Sequence, residues 1–292
     1  MNSATGQVKP VVLFGESVTA LGAAWCLRKH PITVVSAKFV RRLASHSRFV
    51  RRWLRLPDRS PDPLFACLEE LREREGELLL FPCSDAWIDV LGRDLQRTRR
   101  IGRMLPESPA HLAATLDKLV FGRQVRAQGL PAPEVYSECV SPDWAPPQYP
   151  LVLKPYSTYR LEVQYGVKAL IIHNREEWQM FAEMFPNQTS FLAQEYLDGP
   201  SISVCFCTTV DSRLAGAYVT EKTHYHSMRI GTRVASADRP EAIELTAEFV
   251  RRCGFVGFGE LEMIEDRELR MLPCFLSLCR FAVRLRSGLD PL

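Results

Sequence analysis

Two short apolar runs, Val11-Val12-Leu13-Phe14 and Ile32-Thr33-Val34-Val35, are separated by Gly15 and a stretch of helical period from Ser17 to Arg28. Runs of this kind spaced by a helix indicate a βαβ unit, and with it a parallel sheet. A second helix is expected over Pro63 to Glu75, stopped by Gly76, ahead of a third strand over Glu77 to Phe81. Residues 1–105 therefore read as an open α/β lobe. Gly15 and Gly22 have six residues between them, which is not the spacing of a dinucleotide-binding turn, and no acidic residue ends the second strand. Pro82-Cys83-Ser84-Asp85 follows the third strand, where α/β sheets place ligand loops; alternatively Ser84 or Asp85 simply caps the next helix.

From Ser108 the pattern changes. A short helix capped by Ser108 and a second over Asp117 to Gln128 are expected, the latter ended by Gly129 and Leu130-Pro131-Ala132-Pro133. A Pro-rich loop then leads to Leu151-Val152-Leu153, a buried strand that delivers Lys154. Strands over Val167 to Ile172, Phe191 to Gln194, Ile202 to Cys207, Leu214 to Thr220, Gly259 to Ile264 and Glu268 to Leu272 follow, with helices over Arg175 to Met184 and Pro240 to Cys253. Sheet-plus-helix units occur twice, so this half should contain two α+β lobes facing each other.

The chain of 292 residues carries a formal charge of only +3, too little for a general attraction to nucleic acid. One stretch differs: Arg41, Arg42, Arg48, Arg51, Arg52, Arg55 and Arg59 are interleaved with Phe49 and Trp53. Such a run is either a solvated basic helix or loop edge, the ordinary case, or a phosphate-seeking surface. No nucleic-acid partner is expected. Nine cysteines without a C-x-x-C pair suit reduced thiols better than disulfides or zinc. The opening residues lead into an apolar run too short for a signal-peptide core or a membrane span, so a cytoplasmic protein with no membrane partner is expected.

Some residues suggest chemistry on their own. A lysine closing a buried strand, as Lys154 does, has its stem fixed by packing and its ammonium aimed into a cleft as a point charge for phosphate oxygens; a lysine snorkelling to the surface is the alternative. Glu260 and Glu262 alternate along a strand and share a face. Two carboxylates there repel unless water or a cation neutralises them, which suits Mg²⁺; a solvent-facing acidic pair is the alternative. His224 and His226 would share a face in a strand, with no third ligand at zinc spacing.

Taken in order, Leu105-Pro106, Leu116-Asp117-Lys118, Gly129-Leu130-Pro131-Ala132-Pro133, Pro150-Leu151-Val152-Leu153-Lys154-Pro155, Gln194-Glu195-Tyr196-Leu197-Asp198-Gly199 and Gly257-Phe258-Gly259-Glu260-Leu261-Glu262-Met263 resemble the ATP-grasp superfamily, in particular its carboxylate-amine ligase-like members. The resemblance covers nearly the whole chain and rests on order and spacing. It implies a pre-ATP-grasp α/β domain over residues 1–105, an ATP-grasp N-terminal lobe over 106–193 and a C-terminal lobe over 194–292, with ATP and Mg²⁺ as cofactors. By the same resemblance, Lys118 and Lys154 hold the phosphates from separate lobes, and Gln194, Glu195, Tyr196 and Leu197 form the hinge against the adenine. Glu262, with Glu260, holds the metal, and Lys222 and Arg229, with Arg233, lie where the family places substrate and phosphate contacts. Gly231 matches the family's glycine turn. The implied reaction joins a small-molecule carboxylate to an amine: the acid attacks the γ-phosphate of ATP and the amine captures the acyl phosphate, forming an amide or peptide-like bond. A homodimer is compatible with it.

The sequence also departs from that pattern. The family completes its metal site with a second strand ending in Glu-x-Asn, whereas Pro273 and Phe275 stand here. Neither side chain can bind a hard cation, so an ATP-binding protein without ligase activity is the second expectation. Residues 281–292 keep the family-like pattern, which implies a degenerated copy or a shifted reading frame near residue 273; re-reading the coding region separates the two. After Lys154, Tyr156-Ser157-Thr158-Tyr159-Arg160 replaces a glycine-rich phosphate lid.

Overall fold

All four residues of β1 (Val11–Phe14) are buried, as are the first five of β2 (Ile32–Ala37), the pattern of strands covered on both faces. Between them lies α1 (Val18–Cys26), opened by Ser17, whose hydroxyl accepts from the amide of Ala20. Its buried Ala20, Gly22, Ala23 and Ala24 are small enough to let the helix lie close to the sheet. The computed structural model describes residues 8–37, 43–141, 143–156, 169–185, 191–226, 230–266 and 271–277. Two compact units are distinguished, one reaching Glu107 and the other spanning Ser108–Leu278.

The first unit continues with β3 (Val50–Leu56), α2 (Pro61–Glu75), β4 (Leu78–Pro82), α3 (Asp85–Gly92), α4 (Leu95–Ile101) and β5 (Gly102–Met104). Its sheet has the order β3-β2-β1-β4-β5 with every pair parallel. Proline at the start of α2 and Gly76 at its end, with φ of +84°, set that helix's limits. At Gly102 a Cβ would lie 2.1 Å from the carbonyl oxygen of Leu78, so only glycine lets β5 approach β4.

The arginine-rich stretch is not simply a basic helix or loop edge: Val50–Leu56 is an edge strand paired with β2. Trp53 anchors it by packing on the core and donating its indole N–H to Ser36 Oγ at 2.6 Å. The arginine count hid a strand whose apolar members, Val50, Trp53, Leu54 and Leu56, are spaced among the charges. Pro82-Cys83-Ser84-Asp85 ends β4, beside β1, and Ser84 holds the N-cap position of α3 without a side-chain capping bond. Burial pushes the Cys83 thiol up to about 12.

The second unit opens with α5 (Pro109–Leu116) and α6 (Lys118–Ala127). A four-stranded antiparallel sheet follows, in the order β6-β9-β7-β8, formed by β6 (Val135–Ser137), β7 (Leu151–Pro155), β8 (Leu170–Ile172) and β9 (Phe191–Glu195). Leu151, Leu153, Phe191 and Ala193 pack on Trp178 and Phe181 of α7 (Arg175–Met184). The remaining strands are β10 (Ser201–Thr208), β11 (Leu214–His226), β12 (Ile230–Ser236), β13 (Phe258–Glu265) and β14 (Met271–Ser277), in an antiparallel sheet of order β12-β11-β10-β13-β14. Helix α8 (Pro240–Cys253) packs against β10, β11 and β14, and α5 and α6 also pack against β14.

Several expected limits move. The strand expected at Leu214 to Thr220 runs on to His226, because β12 pairs along its whole outer half. Gly231 lies within β12, opposite Tyr225, and not in a turn. The last described strand is Met271–Ser277; of the strand expected over Glu268 to Leu272, residues 268–270 lie outside the described residues, and pairing with β13 through Glu260 carries it past Pro273. Of the strand expected over Val167 to Ile172, residues 167–168 lie outside the described residues and only Leu170–Ile172 is strand.

Candidate functional site

Asp117 caps α6, its Oδ1 accepting from the amides of Leu119 at 2.7 Å and Val120 at 3.1 Å. The amide of Lys118 goes elsewhere: it donates to the carbonyl of Tyr156 at 3.1 Å. Tyr156 follows β7, so this bond ties the backbone of Lys118 about 7 Å along an extended chain from Lys154. Along β7 the odd-numbered residues are buried, while Val152 and Lys154 are half-buried on the opposite face, paired in register with Gln194 and Leu192 of β9. Leu192 and Gln194 of that face, with α6, border a small solvent-open cleft whose lining also includes Lys118, Phe121, Pro133 and Val135 but not Lys154.

The two lysines thus come from different layers of one unit. Lys118 opens a helix packed against β14 and close to α8, where Phe121 and Phe249 meet with ring centroids 6.0 Å apart. Lys154 rides on the four-stranded sheet. Sequence reasoning missed the walls contributed by Val135 and Leu192. A three-residue strand such as β6 leaves too short a signature to be read from periodicity.

The segment joining the two sheets is held at both ends. Glu195 N donates to Glu134 O at 2.9 Å, and Glu195 Oε1 accepts from Glu134 N at 2.7 Å. One oxygen of this carboxylate therefore clasps the chain entering β6. Gln194 and Leu197 are buried and Tyr196 is half-buried. A Cβ on Gly199 would fall 1.6 Å from the carbonyl oxygen of Glu265, so the chain passes against the end of β13 at a point where no side chain fits.

On the five-stranded sheet, register puts Ser203 between Thr220 and Glu262, and Cys205 between Tyr218 and Glu260. Lys222, Glu262 and Glu260 lie on this face, while Leu261, Met263, Val204 and Val219 fill the core behind it. Lys222 Nζ reaches across β10 to donate to Glu262 Oε1 at 3.1 Å. The span is two strand spacings, about 9.5 Å, which only a long side chain bridges. The pair is well shielded, with side chains 14% and 20% exposed. Lys222 is placed here as the counter-ion of Glu262. Arg229 lies outside the described residues, as do Ser157 to Arg160 of the loop after Lys154, and Arg233 is exposed. His224 Nδ1 is 3.2 Å from Thr223 Oγ1.

The donors near Glu262 do not make up the metal set implied by the resemblance. In β14, Phe275 stands opposite Glu262 and Pro273 opposite Met263, and neither side chain has an oxygen to offer. Among the described residues of this face two carboxylates remain, one already shared with an ammonium, where Mg²⁺ needs near-octahedral oxygen coordination. Among the described residues no group of three His, Cys, Asp or Glu is placed to hold a metal ion.

No family model and no curated protein matches the sequence. Solved structures do match. An L-amino acid ligase from Bacillus licheniformis superposes with a TM-score of 0.71 at 12% identity, over 94% of this chain and 68% of that one. The ADP complex of PurK, an N5-carboxyaminoimidazole ribonucleotide synthetase, gives 0.71 at 13%, over 94% and 71%. Biotin carboxylase from Campylobacter jejuni, in a β-γ-ATP complex, gives 0.68 at 12%, over 94% and 66%.

Proposed function

From the ATP-grasp fold that this chain has, we propose that its second unit binds ATP and uses it to activate a carboxylate for capture by an amine. Lys118 and Lys154 balance the polyphosphate, and the segment from Gln194 to Leu197 borders the adenine, with Leu197 and the cleft's apolar wall supplying the flat slot a base requires. Glu195 contributes through its backbone and its clasp on Glu134. The observation that supports this reading is the bond from Lys118 N to Tyr156 O, which ties the backbone of Lys118, a lining residue of the cleft, to the chain two residues after Lys154. Phosphoryl transfer is chiefly positioning and charge neutralisation, and fixed ammonium groups supply both. The carboxylate and amine are small molecules, with Lys222 and Arg229 on the substrate side.

Isothermal titration with ATP tests the first half. Binding by the wild-type protein that weakens in both Lys118→Ala and Lys154→Ala supports it; a folded wild-type protein with no ATP affinity rejects it. ADP release with pooled amino acids, with and without added Mg²⁺, tests the second half.

A second reading, ATP binding without ligation, is favoured by β14. With Phe275 and Pro273 opposite Glu262 and Met263, the sheet offers no second acidic side chain from that strand to place a metal. Measurable ATP affinity with no ADP release from any acid and amine pair is the result it predicts.

A further inference from the structure

Between Glu16 and Asp58 the sequence has no acidic residue and nine Lys or Arg, at positions 28, 29, 38, 41, 42, 48, 51, 52 and 55. The whole-chain charge of +3 conceals this segregation. The fold gathers the described members at one edge of the parallel sheet, where α1 ends and β3 is the outermost described strand. Elsewhere in the first unit arginines are commonly matched by carboxylates: Arg93 with Asp89, Arg97 with Glu69, Arg103 with Glu107. Among the described residues, Arg28, Arg48, Arg51 and Arg55 have no ion pair, and all four are exposed.

Three of these four guanidinium groups are seated on rings. Arg28 lies over Trp25 at 5.0 Å, Arg48 over Phe49 at 5.0 Å and Arg55 over Trp53 at 5.4 Å. Trp25 and Phe49 touch edge to face at 5.3 Å, and Phe49 and Trp53 pack on the same core cluster, so the three stacks form one surface. Trp25, 45% exposed, offers an indole at its centre. Stacking restrains each guanidinium and leaves N–H groups for an anion, which is how arginine presents a fork to phosphate, although Arg28 spends one of its own on Trp25 O at 3.0 Å. Arg52, between them on β3, is paired with Glu75, but the several unpaired forks around an exposed indole suit a chain of phosphates bearing flat bases.

We propose that this face of the first unit binds single-stranded nucleic acid, with phosphates on Arg28, Arg48, Arg51 and Arg55 and a base on Trp25. Its residues all belong to the first unit, whereas those lining the nucleotide cleft belong to the second. The test is fluorescence anisotropy of a labelled oligothymidylate with the full chain at rising salt, beside sedimentation with phosphatidylserine vesicles. Four phosphate contacts on a single strand predict a log–log salt slope of about −2.8, or roughly 50-fold weaker binding between 50 and 200 mM salt. The triple variant Arg28→Gln/Arg48→Gln/Arg55→Gln is expected to bind at least tenfold more weakly at 50 mM and to lose about 2 from the slope, with ATP affinity and melting temperature unchanged. Trp25→Ala is expected to weaken binding about tenfold with the slope unchanged. Oligonucleotide affinity equal in wild type and triple variant overturns the proposal, as does vesicle binding without oligonucleotide binding. If the triple variant is unfolded, the wild-type slope decides: a value near zero overturns it.

Discussion

The two five-stranded sheets use the same number of strands in opposite ways. In the first unit the central strands are parallel and buried on both faces, with Val11 to Phe14 each at most 1% exposed. In the second unit the sheet is antiparallel, and one face is core while the other carries Lys222, Ser203, Glu260 and Glu262. A strand covered on both sides has no face for charged side chains, so its polar residues collect at loops and edges, as the arginines beside β3 do. An alternating strand holds charged groups on a rigid scaffold at fixed separations. The same alternation lets Lys154 ride on the second unit's four-stranded sheet, while the unmatched arginines of the first unit sit on its rim.

This contrast can be broken most severely at the join between the two sheets of the second unit. Gly199→Ala must displace backbone, because the new Cβ would meet Glu265 O at 1.6 Å; a loss of more than about 4 kcal/mol in urea unfolding is expected, and a variant as stable as wild type would contradict the close approach. Leu13→Ala attacks the doubly covered sheet, where its side chain is fully buried, and should cost about 3 kcal/mol by the same measurement.

Lys154→Ala sharpens the comparison by separating chemistry from stability. Its half-buried position, on the face of β7 turned away from Trp178 and Phe181, predicts about a 10²-fold loss in ATP turnover with a melting temperature within a few degrees of wild type; loss of stability without loss of turnover would make it a packing residue. Glu195→Ala removes the acceptor of the Glu134 amide and should cost about 1–2 kcal/mol, while Glu195→Gln, which keeps an oxygen there, restores most of it. The smallest effect concerns reactivity. With its thiol pushed up to about 12 by burial, Cys83 stays protonated at neutral and mildly alkaline pH and should resist alkylation in the native protein, whereas the exposed Cys26, Cys139 and Cys207 react; mass spectrometry of the labelled peptides reads this directly.

Much of this was legible beforehand because apolar periodicity is local. The βαβ start, the strand delivering Lys154 and the alternation of Glu260 with Glu262 each follow from a few consecutive residues. What periodicity could not supply were the strands that need a partner to exist. β3 is held by β2 and by the Trp53 bond to Ser36, β6 by the Glu134 and Glu195 clasp, and β14 by β13 despite Pro273. The ion pair of Lys222 with Glu262 was also hidden, since the carboxylate is forty positions away and two strands across.

By itself, then, the sequence determined which segments are strands and helices wherever burial imposes a period, and which residue types stand at their ends. Only the tertiary structure decided which of those ends share a cleft, which charges cancel and which stay unmatched. Charge cancellation and cleft formation depend on distances between residues far apart in the chain, and no local pattern encodes them.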